Sequence, residues 1–425
     1  MRRRPTFLLT ASLITGLALV VPAAKAAPQA GPFLEPATVL AHVTIPAGRV
    51  YFGWAVSELA DVNGDGAGDF ISGAPLLRGQ SGAAFVFSGA TGARLFRFLG
   101  RPGDQTGWAV ADAGDVNGDG THDILVGSPG VGGPGRASVY SGVNGTRLLH
   151  VAGHAEGDRF GYAVAGVGDL NHDGHDDFIV GAPGDDHAGT DAGQVSVFSG
   201  RDGHRMRVLR GSAGDRLGVG TDGTADVDGD GVRDLVVGAR DAGPGQRGQV
   251  SVYSGATGDR LWVTDAASHG VDFGTFFVAG VGDLNGDGTP DVYAADYSDK
   301  TNGSQTGRAY VLSGSDGTPI REMVGSGRGQ GMGPGREAGD VDGDGVNDLI
   351  VGSYLANDAA PRGGKVQIYS GATGEVLRTL TDTLQYDMAG FDAVTLGDVN
   401  GDGIPDELIS AANRNDLYVV AGVRP

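Results

Sequence analysis

Seven stretches of this sequence place carboxylates at fixed offsets. The pattern Asp-x-[Asn/Asp]-x-Asp-Gly-x-x-Asp starts at Asp61, Asp115, Asp169, Asp226, Asp283, Asp340 and Asp398. Its third position is Asn63, Asn117, Asn171, Asp228, Asn285, Asp342 and Asn400. Its fifth is Asp65, Asp119, Asp173, Asp230, Asp287, Asp344 and Asp402, and its ninth is Asp69, Asp123, Asp177, Asp234, Asp291, Asp348 and Asp406. In a short loop, side chains 1, 3 and 5 turn toward one point and Gly at position 6 permits the sharp turn. The ninth residue adds a carboxylate as the next strand begins. Hard oxygen donors arranged in this way suit Ca²⁺, which takes six to eight oxygens at about 2.3–2.6 Å, with a backbone carbonyl and water completing the shell. The expected cofactor is therefore Ca²⁺, up to seven ions. An EF-hand would need Glu at position 12, where this chain has Ser72, Val126 or Val180 inside an apolar run.

Charge supports that reading. Positions 1, 5 and 9 supply 21 carboxylates, and Asp228 and Asp342 raise the number to 23. Held together without a cation, they would repel one another and their pKa values would rise. Seven Ca²⁺ ions would take the formal net charge from −21 to −7. An ordinary Asx/Gly turn needs one or two such residues, not four at fixed offsets seven times over.

The rest of the composition narrows the function. With 31 Lys and Arg against 52 Asp and Glu in 425 residues, nucleic acid and anionic membrane are poor partners. The absence of cysteine excludes disulfides, thiolate metal centres and thiol catalysis. Arg2, Arg3 and Arg4 precede an apolar run from Phe7 to Val21, followed by Ala24-Lys25-Ala26. This describes a secretory signal peptide over residues 1–26, with a mature chain from near Ala27. The run is shorter than the ~20 residues of a membrane-spanning helix. We expect no membrane span, a secreted or extracytoplasmic location and a monomer.

The acidic loops must be positioned by what repeats around them. Their starts are 54, 54, 57, 57, 57 and 58 residues apart. Before each comes a short apolar run, as in Phe52-Gly53-Trp54-Ala55-Val56. After each comes a run such as Asp69-Phe70-Ile71-Ser72-Gly73-Ala74-Pro75, then an alternating run ending in Ser-Gly, as in Val250 to Gly255. A fourth run, such as Arg94 to Leu99, completes the unit. Runs of four to seven residues rich in Val, Ile, Phe and Tyr between Gly, Asp and Asn read as strands. Four strands per unit and seven units predict an all-β, seven-bladed β-propeller of four-stranded blades. The last unit lacks a fourth strand, and Thr38 to Ile45 looks like an orphan one. Pairing the two would close the ring and hide two sheet edges. The expected organisation is thus a signal peptide (1–26), a linker (27–37) and the propeller (38–425).

These motifs resemble FG-GAP repeats: the Phe-Gly pair, the acidic loop, and Gly73-Ala74-Pro75 or Gly181-Ala182-Pro183. Such repeats form the N-terminal seven-bladed propeller of integrin α chains and occur in bacterial secreted proteins. The resemblance implies calcium in the loop between strands one and two of each blade, on one rim. The chain departs from the pattern at Thr106 and Leu217 in place of Phe, at Met332-Gly333 and Ala389-Gly390, and in losing Gly-Ala-Pro from blades four to seven. The other domains and membrane anchor of an integrin are absent from the sequence, so only the propeller is implied.

The family topology puts the strand 2–3 loops on the opposite face. Fourteen residues after each loop's first Asp stand Pro75, Pro129, Pro183, Arg240, Tyr297, Tyr354 and Ala412. Arg240, Tyr297 and Tyr354 in successive blades suggest a binding patch, because Arg and Tyr combine area with hydrogen bonding. The long loop from Ser298 to Gly307 adjoins them. His172 and His175, in and beside the third acidic loop, read as exposed loop residues, with a second metal or a pH sensor as the sharper alternative. No H-E-x-x-H, G-x-S-x-G or P-loop occurs, and the two G-x-G-x-x-G matches are expected by chance among 79 glycines. The reading is a non-enzymatic recognition or adhesion module for an extracellular protein or glycan. The alternatives are a secreted hydrolase of glycans or phospholipids, which convergent carboxylates in an axial pocket would favour, and a purely structural envelope protein.

Overall fold

The computed structural model describes residues 29–425. The expected signal peptide and the first two residues of the expected linker lie outside the described residues. Each repeat forms one antiparallel sheet, and seven sheets stand around a common axis. Blade one comprises Val56–Leu59, Asp69–Gly73, Ala83–Phe87 and Arg94–Leu99, and the other blades repeat that order. The burial of each strand follows its sequence. Second strands such as Asp123–Ser128 are buried at every residue because neighbouring blades cover both faces, which explains their continuous apolar runs. The fourth strand Arg147–Ala152 has no fully buried residue, as an outer strand should. Among the described residues, no helix is long and apolar enough to cross a membrane.

The hydrophobic core is divided into seven clusters, one at each junction between blades. At the junction of blades seven and one, Phe52, Phe70 and Phe87 pack against Leu408, Leu417 and Val419. The Phe of each Phe-Gly pair belongs to such a junction: Phe52, Phe160 and Phe273 are at most 2% exposed. Thr106, Leu217, Met332 and Ala389 fill the same place in the other blades, none more than 4% exposed. The departures from Phe therefore keep burial while reducing volume. Six parallel bridges, from Gly82↔Thr106 to Gly364↔Ala389, link each blade to the next. At the seventh junction a side chain does this work: Asn415 Oδ1 accepts the Phe52 amide at 3.2 Å.

The ring closes as expected. Thr38–Thr44 runs antiparallel to Asp416–Val420, with Val43 opposite Leu417, and completes blade seven. The described part of the segment expected as a linker is not free. Gln29–Ala30 pairs with Thr38 and Val39, and Phe33 bridges Asp382. The Leu34 amide donates to the Thr381 carbonyl at 2.8 Å, and the Thr383 amide to the Pro32 carbonyl at 2.9 Å. The segment is a strap from blade seven onto blade six. Removing residues 29–44 would bare the Asp416–Val420 edge. The expected outcome is a lower unfolding midpoint and concentration-dependent self-association, read by calorimetry and sedimentation velocity.

Candidate metal loops and an axial aromatic collar

All seven acidic loops share one hydrogen-bond plan. In blade one, Asp61 Oδ1 accepts the amides of Gly64 (2.6 Å) and Asp65 (3.1 Å), and its Oδ2 accepts that of Gly66 (2.7 Å). The turn therefore folds around the first carboxylate. Position 6 is Gly at φ between +84° and +91° in every loop. Position 4 is also left-handed. Six loops have Gly there and the third has His172 at φ +58°. His175 points to the preceding blade, its Nδ1 bonding the Val116 carbonyl at 2.9 Å. Neither histidine belongs to an acidic cluster among the described residues.

The ninth aspartate ties loop to blade. Asp123 Oδ2 accepts the Val116 amide and its Oδ1 the Gly142 amide, both at 3.1 Å. The same pair of bonds recurs at Asp69, Asp177, Asp234, Asp291, Asp348 and Asp406 at 2.8–3.2 Å. The second donor is always the glycine that ends the third strand, which accounts for the recurring Ser-Gly. A Cβ on these glycines would stand 1.7–2.0 Å from a backbone carbonyl oxygen. In the two loops with Asp at position 3, Asp226, Asp228 and Asp234, and likewise Asp340, Asp342 and Asp348, bring one ligand oxygen each within 4.8 Å of one another. In blade one, Asn63 Nδ2 instead donates to both oxygens of Asp69, at 2.9 and 3.1 Å.

Burial pushes the ninth carboxyls upward, to about 7 at Asp69 and about 6 at Asp123, Asp177, Asp234 and Asp291. The other carboxylates of the loops push the same way, against the lowering effect of the two amides.

Along the axis lies a cavity of about 860 Å³ bounded by the first strands. Eight aromatic rings close a collar at its Phe-Gly end. Trp54–Trp108 (4.8 Å between centroids), Trp108–Tyr162 (5.4 Å) and Tyr162–Phe276 (5.3 Å) lead into Phe276–Phe277 (6.2 Å) and Phe277–Tyr297 (6.4 Å). Tyr297–Tyr354 (6.4 Å), Tyr354–Phe391 (5.3 Å) and Phe391–Trp54 (5.1 Å) complete the circuit. Phe276 also reaches Trp54 at 6.3 Å and holds φ at +65°, a costly backbone for a bulky side chain. Strand one runs from this collar to the acidic loop, so the two features occupy opposite rims. Tyr297 and Tyr354, expected as part of a binding patch, are half-buried neighbours in the collar. Arg240 stands outside the cavity lining, its Nε 3.4 Å from Asp272 and 3.6 Å from Asp241. Sequence reasoning missed most of the collar. The available signal was the residue after the Phe-Gly position, aromatic at Trp54, Trp108, Tyr162 and Phe391.

With this geometry in hand, comparison with known proteins is decisive. FG-GAP repeat matches fall on residues 107–140, 160–198 and 219–253, and an FG-GAP-like repeat on 283–351. The chain carries FG-GAP repeats. It is 33% identical to integrin alpha-5 of Xenopus laevis over 211 residues, which are 44% of this chain and 20% of that subunit. It is 31% identical to integrin alpha-V of Gallus gallus over 211 residues, again 44% and 20%, and 34% identical to human integrin alpha-IIb over 225 residues, 48% and 21%. The chain thus matches about a fifth of the length of these subunits.

In these FG-GAP blades the Phe seals the junction and the loop's ninth aspartate ties two strands together. Two predictions follow from that division. Gly371→Ala would force a Cβ to 1.7 Å from the Asn347 carbonyl oxygen, and should destabilise the fold by about 1–3 kcal/mol in denaturant titrations. The raised ninth carboxyls bind more protons folded than unfolded, so their stabilisation is complete below about pH 4 and is lost as pH rises through about 6–7. In metal-free buffer the unfolding midpoint is expected to fall between about pH 5 and 7.5. A flat profile in calorimetry would contradict this.

Proposed function

We propose that the protein is a secreted, calcium-stabilised recognition module that presents the collar rim to an extracellular protein or glycan. The closed aromatic collar, flanked by Arg240, carries this reading. Aromatic and Arg side chains gathered at the mouth of a concave site dominate binding energetics. The likeness to integrin α propellers supports an adhesion or recognition role and no catalytic one. The axial cavity does gather carboxyls from several blades, among them Glu58, Asp112, Asp222 and Asp392, which is the arrangement the hydrolase alternative expects. Turnover of a glycan or phospholipid abolished by Asp222→Asn would favour the hydrolase reading instead.

The acidic loops fit Ca²⁺ by the chemistry of their donors: oxygen only, several carboxylates, and buried ninth carboxyls that a cation would hold ionised. Residues 1, 3, 5 and 9 of each loop would hold the ion. At Asn63 and Asn400 a half-turn of the amide presents its oxygen in place of its NH₂. With a Kd of ~0.1 mM in ~1 mM Ca²⁺, each site contributes roughly 1.4 kcal/mol and seven contribute about 10 kcal/mol. Calcium would then stiffen the rim opposite the collar.

Chelation with EDTA should lower the unfolding midpoint by about 10–20 °C, with recovery in CaCl₂. A melt unchanged by EDTA would overturn structural calcium. Glycan-array and cell-surface capture, with and without EDTA, tests the recognition reading. Tyr297→Ala with Tyr354→Ala should abolish capture while preserving the melt.

A further inference from the structure

The axial cavity holds more carboxyls than basic side chains among the described residues. Arg336 enters from blade six, and Asp392, Glu58 and Asp222 all act on it electrostatically. Asp392 pairs with it directly at 2.9 Å and is further held by the Val56 amide at 2.9 Å. Asp222 accepts the Gly280 amide at 3.2 Å and also feels Arg336, but among the described residues it forms no ion pair. Glu58 has Arg336 as its cationic neighbour without forming an ion pair with it. Arg233, at the loop-side end, is turned to the Thr224 carbonyl. An independent feature marks the same wall: Thr221 is 8% exposed, lines the cavity, and its hydroxyl has no hydrogen-bond partner among the described residues. A buried hydroxyl left unpaired costs free energy that a ligand donor would recover.

Size and depth narrow the ligand. A cavity of about 860 Å³ far exceeds the shell of one inorganic ion. Its lining sets six carboxyls against two arginines, a balance that disfavours anions. Glu58 lies four residues along the first strand from Trp54 of the collar, a depth of up to about 13 Å. The four-carbon stem of a lysine seated on the rim falls short of that. A linear chain with ammonium groups spaced by methylenes meets all three constraints.

We propose that the axial cavity binds a linear aliphatic polyamine, its ammonium groups held by Glu58, Asp222 and the Thr221 hydroxyl and its methylenes lying against the aromatic collar. The site goes beyond rim recognition and does not depend on calcium in the loops.

Spermidine is the probe. Trp54 and Trp108, two of the three tryptophans, stand in the collar, so their emission reports occupancy. Titration of the mature chain by calorimetry and fluorescence, in buffer with CaCl₂ to occupy the acidic loops, should show one saturable site per chain. The variant combining Glu58→Gln and Asp222→Asn should bind about tenfold more weakly or worse. Thr221→Val, which keeps the side-chain shape, should weaken binding about threefold and serves if the double variant does not fold. Asp202→Asn, at an outer turn where the carboxylate is 64% exposed, should change nothing. 1,8-Octanediol, of similar length without charge, should not bind. Non-saturating binding, or equal affinity in wild type and Thr221→Val and in any folded double variant, would overturn the site. Rim capture is measured with the Tyr297 and Tyr354 variants, so either reading can fail alone.

Discussion

The double hydrogen bond accepted by each ninth aspartate is the constraint on which the blade depends. One oxygen fixes the second residue of the acidic loop and the other fixes the glycine that ends the third strand. That glycine can approach only because it lacks a side chain. The carboxyl that makes both bonds is wholly buried, as at Asp69, Asp123 and Asp177. Burial favours its neutral form, while the amides and any nearby cation favour the charged one. The loops are therefore part of the blade's own framework, and their ionisation state is coupled to its integrity.

Direction of the first strand then divides the molecule into two rims. Each begins at the sealed junction residue, passes the collar position, faces the axis, and ends in the acidic turn. Residues such as Glu58, Asp222 and Asp392 occupy strand positions that ordinarily face bulk water. Here seven blades turn those positions toward a shared lumen, so charges from different repeats meet although they are distant in the chain.

The fold was legible because repetition amplified weak signals. One unit of four short apolar runs is ambiguous, but seven in register are not, and the missing last strand with its orphan counterpart at Thr38 read as closure. The acidic turns were legible for the same reason. The collar was not, because Trp54, Trp108 and Tyr162 look like core residues when read along one strand; their convergence depends on curvature around the axis. Arg240 was legible as a substitution for proline but not in its pairing with Asp272, a residue 32 positions away in the next blade. The strap ahead of Thr38 was unreadable because its partners lie far along the chain: Glu35, for one, holds Thr381, 346 residues away, through both its amide and its hydroxyl.

Closure by the chain's early residues sets a schedule for biosynthesis. His42 and Asp416 touch across 374 residues. At about 5–20 residues per second, the ribosome needs roughly 20–75 s to make the second after the first. For that interval the Thr38–Thr44 segment lacks its main partner strand, Asp416–Val420, and its alternating apolar side chains must stay clear of other edges. Blades one to six can assemble in the order of translation, whereas the seventh waits for the whole polypeptide. The latch that makes the disc continuous is therefore among the earliest of its strands to be made and the last to find its place.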